Sequence, residues 1–316
     1  MTIGAVLLAY AACVGTLSSR MLGRARWISR APLLAIFTYL TAAWSVLAAL
    51  GLAGLTLAVH ATALGGGLSH LIGACVVRLR DMYATPGGAA VAGFGLALTG
   101  AVLARTAFST VTHVRAVRQE AARHAQTARL VGRPESALGA TLVDHPQPAA
   151  YCVAGPQPTV VLTTGALRAL DPGQLDAVLA HERAHLASRH HQLVAMAKIG
   201  RQVLPFMPLM RDADAQVTRL AEMHADDTAL RSRNPGPLAA AMVILATPAA
   251  PAPGLAAAAI DAVGRIQRLL GPAEPPLGPA RRHLLRAVVA ALALTPVLLA
   301  MAPAAVALVL GRVPSA

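Results

Sequence analysis

The chain has 316 residues, of which 56% are hydrophobic and only 13% are charged, and its formal net charge is +13. Globular proteins carry about 25% charged residues, so this composition excludes an ordinary soluble protein and predicts long membrane spans. The basic residues form no patch interleaved with aromatic side chains, which argues against direct nucleic-acid binding. The three cysteines are far apart and form no C-x-x-C motif, so we expect neither a disulfide framework nor a cysteine zinc site.

Four uncharged segments are long enough to cross a bilayer, which takes about 20 apolar residues. They run near Thr2 to Ser18, from about Pro32 to Val59, between Asp81 and Arg105, and between Arg286 and Arg312. The first segment has no basic residues ahead of its apolar core, so it is predicted to be a retained span and not a signal peptide. A further apolar segment, residues 61–77, is rich in glycine and is interpreted as a loop or interfacial segment.

The distribution of arginine orients the four spans. Arginines follow the first span, from Arg20 to Arg30, and the third span, from Arg115 to Arg123. The positive-inside rule assigns both clusters to the cytoplasm, which places the N-terminus outside. We therefore predict a multi-pass protein of the cell membrane.

The acidic residues mark the water-facing part of the chain. Of the 14 acidic residues, 13 lie between Glu120 and Glu274. We predict a membrane domain with three spans over residues 1–111 and a cytoplasmic domain over residues 112–284. Residues 285–316 are predicted to form the fourth span and a short tail.

The predicted cytoplasmic domain combines helices with a small sheet. Two β-prone runs, Tyr151 to Val153 and Thr159 to Thr163, are separated by a Gly-Pro turn signal and predict two strands. Asp171 and Pro172 predict the start of a helix, because Asp is a favoured N-cap and Pro is favoured at the first helical position. Residues 193–210 are apolar but interrupted by charges and two prolines, so a buried helical pair and a membrane-dipping hairpin both remain open.

The helix that begins after Asp171 contains His181-Glu182-Arg183-Ala184-His185, which has the H-E-x-x-H pattern. His181 and His185 lie one turn apart on one helical face, where two imidazoles can share one metal ion. Glu182 lies beside that face and can accept a proton from a metal-bound water. The pattern therefore predicts a zinc site with Glu182 as the general base.

A catalytic zinc usually has three protein ligands, so a third is expected outside this motif. The predicted helix from Asp212 to Leu230 offers Glu222, with His224 as the competing candidate. Asp226, one turn after Glu222, is suited to hold the free ring nitrogen of a zinc-bound histidine. His224 is also a candidate for stabilising the transition state, with His190 and His191 as alternatives.

The predicted strand from Thr159 to Thr163, which precedes the motif helix, is a candidate for substrate binding. If this strand lies at the edge of the sheet, its backbone can hold an extended substrate by β-augmentation. The substrate-binding residues predicted on this basis are Val160, Val161, Leu162 and Thr163.

The stretch from Tyr151 to Leu230, about a quarter of the chain, resembles membrane-embedded gluzincin peptidases of the BlaR/MecR antirepressor type, with the HtpX-type membrane proteases as relatives. The resemblance is carried by the run from Thr159 to Leu167, by the run from Leu175 to His185, and by Glu222 with Ala225 and Asp226 following. It implies that His181, His185 and Glu222 bind one Zn²⁺ per chain and that Glu182 is the general base. It also implies that Asp226 holds a ligand histidine in place without binding the metal itself.

The resemblance also sets the expected fold class: a mainly α membrane protein with four transmembrane helices and an α+β gluzincin-like zinc peptidase domain that contains a small β-sheet. The antibiotic sensors of the family carry a penicillin-binding domain after the fourth span, and because this chain ends at Ala316 we expect no such domain here.

Three functional classes compete. The first is a regulatory peptidase that cleaves a cytoplasmic repressor, and the second is an HtpX-like quality-control protease for membrane proteins. The third is a non-catalytic membrane scaffold or transporter, which ranks last because the four spans contain no charged residue and transport paths need polar groups. The expected partners are a protein or peptide substrate and the lipid bilayer.

Overall fold

The computed structural model describes residues 2–58, 88–153, 155, 158–230, 234–246, 255–272 and 274–310. The glycine-rich segment 61–77, predicted to be a loop or interfacial segment, lies outside the described residues. The described part of the chain is mostly helical, with one small sheet. Its helices are α1 Thr2–Gly23, α2 Pro32–Ala58, α3 Gly88–Val131, α4 Thr164–Ala169, α5 Pro172–Ala187, α6 His190–Val203, α7 Pro208–Ala229, α8 Pro235–Ala246, α9 Leu255–Leu270 and α10 Pro279–Leu310.

Four of these helices are long and apolar enough to cross a membrane, which agrees with the four predicted spans. The candidate spans are Ile3–Gly23, Pro32–Ala58, Ala90–Gln119 and Pro279–Ala302. α3 runs without a break to Val131, through the predicted domain boundary at residue 111, because no glycine or proline interrupts residues 105–131. A single helix therefore continues from the third span into the predicted cytoplasmic domain.

The sheet has four strands: β1 Gly132–Glu135, β2 Ala140–Val143, β3 Ala150–Val153 and β4 Thr159–Thr163. Their order is β1-β2-β4-β3, and β4 pairs in parallel with β2 and antiparallel with β3. β3 and β4 are the two predicted strands, whereas β1 and β2 are short and partly polar and were not predicted.

The prediction that the strand over residues 159–163 lies at the sheet edge is wrong. β4 is hydrogen-bonded on both sides, so its backbone cannot accept a substrate strand. Its side chains are equally enclosed, and the four residues predicted to bind substrate, Val160, Val161, Leu162 and Thr163, are all buried. Among the described strands, β3 occupies the edge next to β4 and contacts α5.

Three of the candidate spans, α1, α2 and α10, share one hydrophobic core with α6 and α7. α2 contributes buried residues such as Tyr39 and Val46, and α7 contributes Met210 and Leu220 to the same cluster. The turn between α6 and α7 lies on α1, because a Cβ atom on Gly15 would collide with the side chain of Met207. Residues 193–210 thus form two packed helices and their turn.

Small residues bring α2 and α3 into close contact. A Cβ atom added to Gly54 would collide with the hydroxyl of Thr99 and the carbonyl of Gly95. Thr99 Oγ1 donates a hydrogen bond to the carbonyl of Gly51 at 3.0 Å. This is the packing expected of transmembrane helices, in which small residues allow backbones to approach closely.

Candidate metal centre and active site

The start of α5 is held by a capping box, as Asp171 and Pro172 predicted. Asp171 Oδ1 accepts from the backbone N–H of Gln174 at 2.8 Å, and Gln174 Oε1 accepts from the backbone N–H of Asp171 at 3.0 Å. Pro172 occupies the first turn, where its missing N–H removes no helical hydrogen bond. The capped helix carries His181 and His185 on the face that meets α7.

Three predicted ligands converge between α5 and α7. His181 Nε2 and His185 Nε2 are 3.1 Å apart, and each lies 3.5 Å from one carboxylate oxygen of Glu222. Ligand atoms bound tetrahedrally to zinc at 2.0–2.1 Å would be roughly 3.3 Å apart, so the donor set fits one zinc ion. Among the described residues, this is the group of His, Cys, Asp and Glu side chains that could hold a metal ion.

Asp226 lies next to His181, on the side of the ring that carries Nδ1. Its carboxylate is fully buried, and Oδ1 is 3.0 Å from His181 Nδ1, although the ring N–H does not point straight at the oxygen. Burial lowers the pKa of His181, but the contacts with Asp226 and Glu222 outweigh burial and raise it to about 9. The site therefore stabilises positive charge at His181, and a bound cation competes with the proton for Nε2.

Arg265 of α9 completes this arrangement and was missed by sequence reasoning. Its guanidinium donates to both oxygens of Asp226, at 2.8 and 2.6 Å, and its Nη1 is 2.8 Å from Glu222 Oε2. Burial raises the pKa of each carboxylate, but the hydrogen bonds at both sites and the charge of Arg265 hold both pKa values below their usual range. The sequence did not predict this contact, because nothing local marks Arg265 as a partner of residues about 40 positions earlier.

A chain of imidazoles extends from the second ligand. His185 Nδ1 is 3.0 Å from His190 Nδ1, and His190 Nε2 is 2.9 Å from His224 Nδ1. His190 is buried, and burial with the nearby His185 and His224 lowers its pKa to about 3, so it is neutral at pH 7. If His185 binds metal through Nε2, its Nδ1 carries the proton and donates it to His190.

The contacts between these imidazole rings also show where His224 lies. Residues two apart on a helix face different sides, so His224 contacts His190 and does not join Glu222 in the group of ligand atoms. The structure thus brings His181, His185, Glu222 and Asp226 together and leaves His224 outside them.

Glu182 lies between the ligands and the edge of the sheet. Its carboxylate lies near the thiol of Cys152 in β3, and it is close enough to His181 and His185 for their charges to lower its pKa. Burial raises the pKa of Glu182, which makes it a stronger base than an exposed glutamate. Burial, with the neighbouring Glu182, raises the pKa of the Cys152 thiol to about 12, so this thiol stays protonated.

Residues 113–267 match the family model of Peptidase family M48. This match supports the M48 metallopeptidase family. It covers the second half of α3, the whole sheet, helices α4 to α8 and α9 as far as Gln267, so all the site residues above, including Arg265, lie inside the M48 segment. No curated protein and no solved structure matched the chain.

Proposed function

We propose that this M48 metallopeptidase is a zinc-dependent endopeptidase of the cell membrane that cleaves a cytoplasmic protein. The observation that carries the proposal is the set of donor atoms on His181, His185 and Glu222, which are separated by 3.1–3.5 Å with Glu182 beside them. A zinc ion held by this set supplies a Lewis acid for the scissile carbonyl and lowers the pKa of a bound water.

The protein's own residues transfer the proton and hold the metal ligands in position. Glu182 accepts a proton from the attacking water and passes it to the leaving amine. Asp226 and Arg265 hold His181 and Glu222 in position through the contacts described above. His190 holds His185 from the other side, so both histidine ligands have an oriented ring.

The edge strand β3 supports a peptide substrate in extended form. The N–H of Thr163 donates to the carbonyl of Ala149, so the next hydrogen-bonded pair of this antiparallel ladder is Tyr151 with Val161. The backbone groups of Ala150 and Cys152 therefore point toward the outer edge. A substrate strand added there would pass Glu182, which lies near Cys152. We propose β3, in place of β4, as the substrate-binding strand.

The BlaR/MecR resemblance supports a regulatory role in which the substrate is a transcriptional repressor. One observation favours the alternative, a quality-control protease for membrane proteins. Helices α6 and α7 share a core with α1 and α2, which keeps the candidate site close to the membrane helices and to any substrate that resides there.

Replacing the general base tests the mechanism. Purified Glu182→Gln should keep its zinc content and lose cleavage of an unfolded protein such as casein by at least about 100-fold, the usual contribution of general base catalysis. Glu135→Gln, which changes an exposed glutamate of β1, is the matched control and should cleave like the parent. Equal cleavage by Glu182→Gln and the parent would exclude the mechanism.

The same variant separates the two substrate classes. Cells that express Glu182→Gln should accumulate the uncleaved substrate relative to cells that express the parent. Accumulation of one soluble DNA-binding protein supports regulatory cleavage, whereas accumulation of many membrane proteins supports quality control.

A further inference from the structure

A cavity of about 640 Å³ opens between the start of α2, the last turns of α7 and the start of α10. It is separate from the candidate metal centre. The residues that decide its chemistry are Arg30, Phe37, His224, Arg282, Arg286 and Val289. Its volume lies in the range of ordinary small-molecule sites, roughly 300–1,000 Å³.

One end of the cavity is strongly basic. Arg282 and Arg286 lie one turn apart on α10, and neither guanidinium has an ion-pair partner among the residues that the structure describes. Arg30 also lines this end and pairs with Glu274 at 2.9 Å. Asp227 is the one acidic side chain in the lining, and Arg268 already binds it at 2.7 Å. The basic end is therefore available to an anion.

The other end is apolar and lies in the predicted spans. Phe37 and Val289 line it, and Phe37 remains 44% exposed although it lies within a candidate span. A helix rises 1.5 Å per residue, which puts Phe37 about 7.5 Å beyond Pro32 and Val289 about 4.5 Å beyond Arg286. The cavity therefore passes from a charged rim at the helix ends to an apolar wall along the same two helices.

An occupant must satisfy both ends. A free anion would leave the apolar wall in contact with water, and a neutral amphiphile would leave two guanidinium groups without a partner. The cytoplasmic leaflet contains anionic phospholipids, which carry a phosphate and acyl chains on one molecule and are attracted by basic side chains next to a span. We propose that the cavity binds one anionic phospholipid, with its phosphate on Arg282 and Arg286 and an acyl chain against Phe37 and Val289.

The cavity lies between two candidate membrane helices, α2 and α10, and α7, which carries Glu222. His224 and Asp227 of α7 line it, and His224 is the outer end of the imidazole chain that begins at the ligand His185. A bound lipid would thus contact α2, α7 and α10 together. Lipid binding does not depend on the peptidase proposal, because it can be measured without cleavage.

Lipid retention by the full chain tests the proposal. The protein is placed in phosphatidylcholine nanodiscs with and without phosphatidylglycerol, extracted, and examined by native mass spectrometry for bound lipid. The parent should retain one phosphatidylglycerol, and Arg282→Gln/Arg286→Gln should bind it about thirty-fold more weakly, since each arginine near a membrane surface contributes roughly 1 kcal/mol. Arg24→Gln/Arg281→Gln removes the same charge from exposed positions outside the cavity and should bind within about twofold of the parent.

A second variant examines the apolar end while keeping both arginines. Val289→Trp fills the position where the acyl chain would lie and should also weaken retention of phosphatidylglycerol. Retention unchanged in both variants would overturn the proposal. Displacement of the lipid by inorganic phosphate at equal concentration would do the same, because it would show that the apolar wall contributes nothing.

Discussion

Arg265 forms ion pairs with both buried carboxylates of the candidate metal centre. Its planar guanidinium contacts Asp226 through two nitrogens and Glu222 through the third. Lysine cannot reproduce this arrangement, because its ammonium is a point charge without a fork. The side chain therefore fixes the distance between a predicted ligand and the carboxylate that supports another ligand.

Arg265→Leu is expected to lower zinc affinity or cleavage by roughly 10- to 100-fold, the usual effect of losing a group that positions a metal ligand. Arg265→Lys should recover part of that loss, because it restores the charge. Zinc affinity, measured by competition with a chelator, separates this role from a general loss of folding. Arg211→Leu, at an exposed position of α7, serves as the control, and equal zinc affinity in all three variants would contradict the role of Arg265.

Glu182 determines a pH dependence. A general base must be ionised, and burial raises the pKa of Glu182 above its ordinary value of 4.5. The plot of kcat/KM against pH should therefore fall on the acid side with a midpoint above 4.5, as protons neutralise the base. A profile recorded with saturating zinc that stays flat down to pH 4.5 would contradict this assignment.

At the scale of single elements, the junction between α5 and α6 determines where His190 lies. Ser188 caps α5, and Arg189 follows in the left-handed conformation with φ of 50°. This residue turns the chain so that α6 starts at once and His190 returns toward His185. A residue other than glycine in this conformation lowers the stability of the fold by about 1–2 kcal/mol.

Arg189→Gly should therefore increase the free energy of unfolding by roughly 1 kcal/mol, because glycine adopts a positive φ without steric strain. Arg189→Ala keeps the strain while removing the guanidinium, and it should give no gain. Thermal unfolding in detergent compares the three proteins, and a gain in the alanine variant would assign the effect to the side chain instead of the backbone.

At the scale of the whole molecule, α1, α2 and α10 share one core with α6 and α7 of the M48 segment. α2 lies at its centre, with α1, α3, α7 and α10 packed around it. The α2–α3 contact depends on Gly54 and Gly95, where backbone meets backbone. α2 also packs against α7, the helix that carries Glu222.

Gly54→Leu should destabilise the protein by about 1–3 kcal/mol, since the larger side chain has no space against α3. Gly100→Leu is the matched control, because a Cβ atom there meets nothing within 4 Å. The midpoints of thermal unfolding measure the difference, and equal midpoints for the two variants would contradict the close crossing.

Sequence by itself determined those features that depend on near neighbours along the chain. The pairing of His181 with His185 follows from one helical turn, the capped start of α5 follows from Asp171 and Pro172, and the spans follow from long uncharged runs. Each is a property of consecutive residues, because helical periodicity and bilayer thickness act locally. The separation of Glu222 from Asp226 by one turn is local in the same sense.

Only the tertiary structure decided which distant residues meet. The position of β4 inside the sheet depends on β2, which was not predicted, and this moves the candidate substrate edge to β3. Arg265 reaches Asp226 across 39 residues, and His190 meets His224 across 34. Such contacts depend on how whole helices pack, and side-chain packing between elements leaves no periodic signal in either segment alone.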